Sequence, residues 1–191
     1  MRKHTRQRGF TLIEILVALA ILAVISLLAS NAFDGSRTKA QAMIGLAKQV
    51  GDANIQLKTD TGCYVNKPVA LFDPVEAQNA ANNYCGRVFK GTWARPYLAQ
   101  YTVNANGELV VDKISAEVTV ALKQITESGR KRYYVQMANV PKDILKQALV
   151  ECNGGDFDGE KGSFAKNRCR TESDLNTDAP GTFDMLYDTT R

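Results

Sequence analysis

Few side chains in this chain could take part in chemistry, and their types exclude most catalytic sites. His4 is the single histidine, so residues 10–191 cannot form a Ser-His-Asp or Cys-His nucleophile or a zinc site that uses histidine. Glu14 is more unusual, because it lies inside an apolar run. A carboxylate in a bilayer costs about 2.5–3.5 kcal/mol and indicates a functional site with a partner. We therefore expect a structural or binding role and no enzymatic activity.

The apolar run follows a basic N-terminus. Residues 1–9 contain four basic residues and no acid, and therefore account for the whole net charge of +4. Residues 10–29 are apolar except for Thr11, Glu14 and Ser26. A helix of about 20 residues spans about 30 Å, the thickness of a bilayer core, and the basic flank favours a cytoplasmic N-terminus. The small residue Gly9 precedes the run, which is not the arrangement of an ordinary secretory signal.

The string RGFTLIE at residues 8–14, joined to this apolar run, resembles the class III signal of type IV prepilins and of the related secretion pseudopilins. The resemblance covers about residues 1–35 and is closest to the type IVa group. It implies that the prepilin peptidase cleaves between Gly9 and Phe10 and that Phe10 is N-methylated. It also implies that Glu14 guides docking into the growing fibre; the alternative is that Glu14 is only an interfacial residue.

Helical spacing continues beyond the apolar run. Apolar residues recur at spacings of three, four and seven, at Ala40, Met43, Ala47, Val50 and Leu57. This pattern predicts one helix from about Phe10 to Lys58, half transmembrane and half amphipathic. The resulting organisation is a leader at residues 1–9, a transmembrane and polymerisation helix at 10–35, and a periplasmic or extracellular globular domain at 36–191.

Alternating apolar residues and turn signals predict an antiparallel sheet after the helix. Residues 59–96 are expected to form an irregular loop, and a helix is expected from Pro141 to about Cys152. Strands are predicted at residues 97–103, 108–111, 114–122, 132–140 and near 182–187. The class is α+β. It resembles the pilin fold, in which a long N-terminal helix packs on an antiparallel sheet beside a disulfide-closed C-terminal loop.

The four cysteines of an exported domain predict two disulfides. Three pairings are possible, and we favour the bonds between sequence neighbours, Cys63–Cys85 and Cys152–Cys169. The resemblance supports this choice, because pilins often close a C-terminal loop in this way. A zinc site made of all four is disfavoured, since no two cysteines lie two to four residues apart.

Two weaker patterns concern ligands. Asp156, Asp158 and Glu160 alternate as in calcium loops, and the secretion pseudopilins that the N-terminus resembles bind calcium in a C-terminal loop. Ala165 stands where an EF-hand needs a bidentate Glu, so we expect a solvated acidic turn and no cofactor. The basic and aromatic run at residues 130–134 could contact single-stranded DNA. Because residues 10–191 carry no net charge, a plain hairpin turn is the favoured interpretation.

Together these features indicate the structural subunit of a type IV pilus. Its expected partners are the prepilin peptidase, other pilin subunits and the inner-membrane assembly platform. Before assembly it would be a single-pass inner-membrane protein, and afterwards part of an extracellular pilus or a periplasmic pseudopilus. The alternatives are a pseudopilin of a type II secretion system and a minor pilin for DNA uptake or adhesion.

Overall fold

A computed structural model describes residues 13–22, 35–155 and 162–190 of the chain. The chain divides into two compact units, Met1–Gly35 and Ser36–Arg191. In the first unit, residues 13–22 form a helix, α1. The predicted leader at residues 1–9 lies outside the described residues.

The second unit combines helices with one antiparallel sheet. Its helices are α2 (Gly35–Thr61), α3 (Pro74–Ala77) and α4 (Lys142–Cys152). Its strands are β1 (Leu109–Val110), β2 (Thr119–Glu127), β3 (Arg130–Val140), β4 (Cys169–Arg170) and β5 (Gly181–Thr190). The strands lie in the order β1-β2-β3-β5-β4, and every neighbouring pair is antiparallel. The predicted α+β class is confirmed.

Helix α2 packs on the sheet through the apolar stripe that its spacing predicts. The five stripe residues are completely buried: Ala40, Met43, Ala47, Val50 and Leu57. Gly51 allows α2 to approach β5 closely, because a Cβ atom at Gly51 would lie 2.7 Å from the Cβ of Tyr187. One turn later, the buried Asn54 donates a hydrogen bond of 2.8 Å to the Tyr187 hydroxyl.

The hairpin between β2 and β3 forms where the turn residues predict it. Ser128 and Gly129 both have positive φ, 53° and 75°, as a two-residue hairpin turn of primed type requires. The strand predicted at residues 114–122 is wrong at its start, because β2 begins at Thr119 and continues to Glu127. Ile114 and Val118 enter the core from turns before the strand, whereas Ala116 between them is exposed. The alternation of apolar residues at 114–118 therefore does not mark a strand.

The strand predicted at residues 97–103 does not form. This segment runs as a loop, in which Val103 makes one isolated bridge to Leu109. Some side chains of this loop, such as that of Leu98, are nevertheless buried in the core. The strand predicted at residues 108–111 is reduced to β1, whereas the last strand is longer than predicted and becomes β5.

Candidate processing and assembly segment

Helix α1 presents large apolar side chains to its surroundings in every direction. The exposed fractions of its Ile, Leu and Val side chains range from 52% to 71%, at Ile13, Ile15, Leu16, Val17, Leu19, Ile21 and Leu22. Successive residues of a helix differ by about 100° in direction, so a run of this kind leaves no polar face. A helix that is apolar all round suits lipid or a contact with other helices. Within the described ranges, no helix combines the length and the apolar character needed to cross a membrane.

Glu14 is the acidic residue on this surface. It lies in the first turn of the described part of α1 and is exposed. Gly9 and Phe10, the residues of the predicted cleavage and methylation, lie outside the described residues. The docking role predicted for Glu14 therefore rests on its place in the sequence and on the apolar helix that carries it.

Two disulfides fix the loops of the second unit. Cys63 is bonded to Cys85 and Cys152 to Cys169, with Cα atoms 6.2 and 6.0 Å apart. These are the pairings between sequence neighbours that we favoured. The first closes the loop that follows α2, and the second ties the end of α4 to β4.

A buried ion pair links the neighbouring strands β4 and β5. Asp184 of β5 is fully buried, and its Oδ2 lies 3.3 Å from Nε of Arg170 in β4. Gln136 of β3 donates a 3.0 Å hydrogen bond to Oδ1 of the same carboxylate. The Arg170 guanidinium also lies 4.3 Å from the centre of the Phe164 ring. Burial raises the pKa of Asp184 to about 6, although Gln136 and Arg170 act in the opposite direction.

The sequence contains no local signal for this ion pair. Arg170 belongs to a strand of two residues, which is too short to show a period, and Asp184 lies among both apolar and polar residues of β5. Their proximity depends on the pairing of β4 with β5.

The basic and aromatic run does not form a surface on which bases could stack. Tyr133 and Tyr134 are 8% and 7% exposed. Arg132 is also buried, with its Nε 3.0 Å from Oε2 of Glu127. Because these rings pack inside the protein, the contact with single-stranded DNA that this run suggested is not available to them.

The calcium candidates Asp156, Asp158 and Glu160 lie outside the described residues. In the ranges that the structure does describe, no group of three or more His, Cys, Asp or Glu side chains could hold a metal ion.

The N-terminal segment is the part of the chain that matches a known family. A family model, the prokaryotic N-terminal methylation motif, matches residues 4–30. No curated protein and no solved structure matches the chain. The matched residues contain Gly9, Phe10 and Glu14, and they include α1 with its exposed apolar side chains. The chain therefore carries, at residues 4–30, the N-terminal methylation signal of type IV pilins and prepilins.

Proposed function

We propose that this protein is the structural subunit of a type IV pilus. The observation that carries the proposal is the coincidence of the methylation motif with a helix that exposes apolar side chains all round. Such a helix is stable in lipid before assembly and against the helices of other subunits afterwards. The folded second unit would then be displayed outside the membrane.

The proposed sequence of events begins at the peptide bond between Gly9 and Phe10. The prepilin peptidase cleaves this bond on the cytoplasmic side, and Phe10 becomes the methylated N-terminus. The subunit remains in the inner membrane as a single-pass protein until the assembly platform transfers it to the fibre. The two disulfides agree with this route, because disulfides persist in the oxidising space outside the inner membrane.

Processing can be tested by substituting Gly9. Gly9→Glu should leave the precursor uncut, whereas the matched change Gly45→Glu in α2 should be cut normally, since the Cβ position of Gly45 has no neighbour within 4 Å. Mass spectrometry of the wild-type protein should give an N-terminus at methylated Phe10. Any other mature N-terminus would contradict the proposed processing.

A pseudopilin of a type II secretion system shares this processing and anchor, so the system must be identified separately. Mechanical shearing of cells that express the native gene should release the subunit in long fibres. Recovery of all mature protein in the cell envelope would instead indicate a pseudopilin.

A further inference from the structure

A small cavity of about 170 Å³ lies where α2 ends against the hairpin of β2 and β3. We call it the tyrosine pocket. The residues that line it include Lys58, Tyr84, Gln124, Lys131 and Tyr133. Pockets for drug-sized ligands are usually about 300–1,000 Å³. The tyrosine pocket therefore has room for one small ring, and the rest of any longer ligand would lie outside it.

The wall of the pocket is aromatic and fixed in place. The rings of Tyr64 and Tyr133 have centres 4.2 Å apart, and the Tyr84 ring meets Tyr133 edge-on at 5.8 Å. The disulfide Cys63–Cys85 joins the residues next to Tyr64 and Tyr84. The Tyr84 hydroxyl donates a 3.2 Å hydrogen bond to the Leu122 carbonyl. Because these contacts lie within the protein, the wall exists before any ligand arrives.

Several polar groups of the pocket lack a partner inside the protein. Among the described residues, none forms a hydrogen bond or ion pair with the Tyr133 hydroxyl, the Gln124 amide or the Lys131 ammonium. By contrast, the Tyr64 hydroxyl on the same wall is hydrogen-bonded to Asp188. The first three groups can therefore serve a ligand with both hydroxyl and anionic groups.

The charge of the pocket is positive. Lys58 Nζ lies 3.6 Å from Oδ2 of Asp188 and 4.9 Å from the centre of the Tyr64 ring, so its charge is partly compensated. Lys131 has no acidic partner of this kind among the described residues. One uncompensated ammonium beside an aromatic wall favours an anionic ligand that also has a ring face.

We propose that the tyrosine pocket binds a carboxylate-bearing pyranose, such as one hexuronate unit of an acidic polysaccharide. The carboxylate would pair with Lys131 and Lys58, and the hydroxyl groups would bond to Gln124 and Tyr133. The face of the sugar ring would lie against Tyr84, which is 36% exposed.

The test uses the full chain in detergent micelles and the monosaccharide glucuronate as the probe. Saturation-transfer NMR should show glucuronate binding at least tenfold more tightly than glucose, which lacks the carboxylate, or acetate, which lacks the ring. Lys131→Met should weaken glucuronate binding at least fivefold, and Lys131→Arg should retain most of it. The matched control is Lys123→Met, because Lys123 is exposed on β2 and does not line the pocket.

Each outcome bears on the proposal. Equal binding of acetate or inorganic phosphate would reduce the pocket to a simple anion site and overturn the sugar assignment. Equal binding of glucose, or equal loss in the variants at positions 123 and 131, would also overturn it. Circular dichroism of both variants should match the wild type, because neither lysine side chain is part of the core.

Discussion

The side chain of Asn153 pairs with the backbone of Cys169 in both directions. Its Nδ2 donates a 2.9 Å hydrogen bond to the Cys169 carbonyl, and its Oδ1 accepts one of 3.0 Å from the Cys169 N–H. Asn54 forms the same two bonds with the backbone of Val65, both at 3.0 Å. Each side-chain amide thus forms the two hydrogen bonds that a neighbouring strand would form. In this way it satisfies backbone N–H and C=O groups, close to a disulfide, that no strand reaches.

Removal of the Asn153 amide should destabilise the second unit. Asn153→Ala leaves both polar backbone groups of Cys169 without this partner, which should lower the free energy of unfolding by about 1–3 kcal/mol. The matched control is Asn176→Ala, because Asn176 lies on an exposed turn. This variant should change the free energy of unfolding by less than about 0.5 kcal/mol. Urea unfolding followed by circular dichroism gives both values. An equal effect of the two variants would contradict the role of Asn153.

Two glycines of α2 should respond to alanine in opposite directions. Gly51→Ala places a Cβ atom 2.7 Å from the Cβ of Tyr187, and overpacking of this kind costs about 1–3 kcal/mol. Gly45→Ala meets nothing within 4 Å and should stabilise the helix by up to about 1 kcal/mol. Thermal unfolding of both variants measures the contrast. A stabilising Gly51→Ala would show that α2 and β5 are not in close contact there.

Both disulfides should contribute to stability outside the membrane. Alkylation of exported protein without reductant should label no cysteine, and digestion should yield the linked pairs Cys63–Cys85 and Cys152–Cys169. Replacement of either pair by alanine should cost about 2–5 kcal/mol. Cysteines that are alkylated without reductant would contradict this prediction.

The stability of the second unit should depend on the ionisation of Asp184. Its pKa is raised from 3.8 to about 6, so between these values the folded state holds a proton that the unfolded state has released. The contribution of this group to the free energy of unfolding should therefore fall as the pH rises from about 4 to about 6, and then level off.

Asp184→Asn isolates that contribution. The variant keeps the shape of the side chain but cannot titrate, so the difference in stability between wild type and variant should change across this pH range. Urea unfolding at several pH values measures it. Parallel stability curves for the two proteins would show that Asp184 titrates alike in the folded and unfolded states.

Helix α2 and the hairpin of β2 and β3 could be predicted from the sequence because their signals are local. The stripe from Ala40 to Leu57 follows the helical period, and Ser128 with Gly129 supplies the backbone that a tight turn requires. Segments without regular structure are harder to predict, since loop residues such as Ile114 and Leu98 also reach the core. An alternating pattern of apolar residues therefore does not by itself identify a strand, because a loop can also bury side chains.

The processing signal was also predictable, because residues 8–14 form a contiguous string within the matched motif. The buried pair of Arg170 and Asp184 was not, because it depends on the register of β4 against β5. The tyrosine pocket likewise brings together residues from α2, its following loop and the hairpin. Contacts of this type arise from tertiary structure and have no short sequence pattern.

Glu14 carries a carboxylate on an apolar helix surface, where charge is costly. We propose that in the fibre it pairs with the Phe10 amine of a neighbouring subunit, which offsets that cost and sets the axial register between helices. Glu14→Leu should then permit membrane insertion, cleavage and folding, because all three precede docking. It should fail only in incorporation into the fibre.

A matched control separates docking from general polarity. Ser26→Leu also removes a polar residue from the apolar run but should assemble normally. When each variant is expressed together with the wild type, Glu14→Leu subunits should remain in the inner-membrane fraction, while Ser26→Leu subunits enter the sheared fibres. If Glu14→Leu subunits enter fibres in the wild-type ratio, Glu14 is an interfacial residue without a docking role.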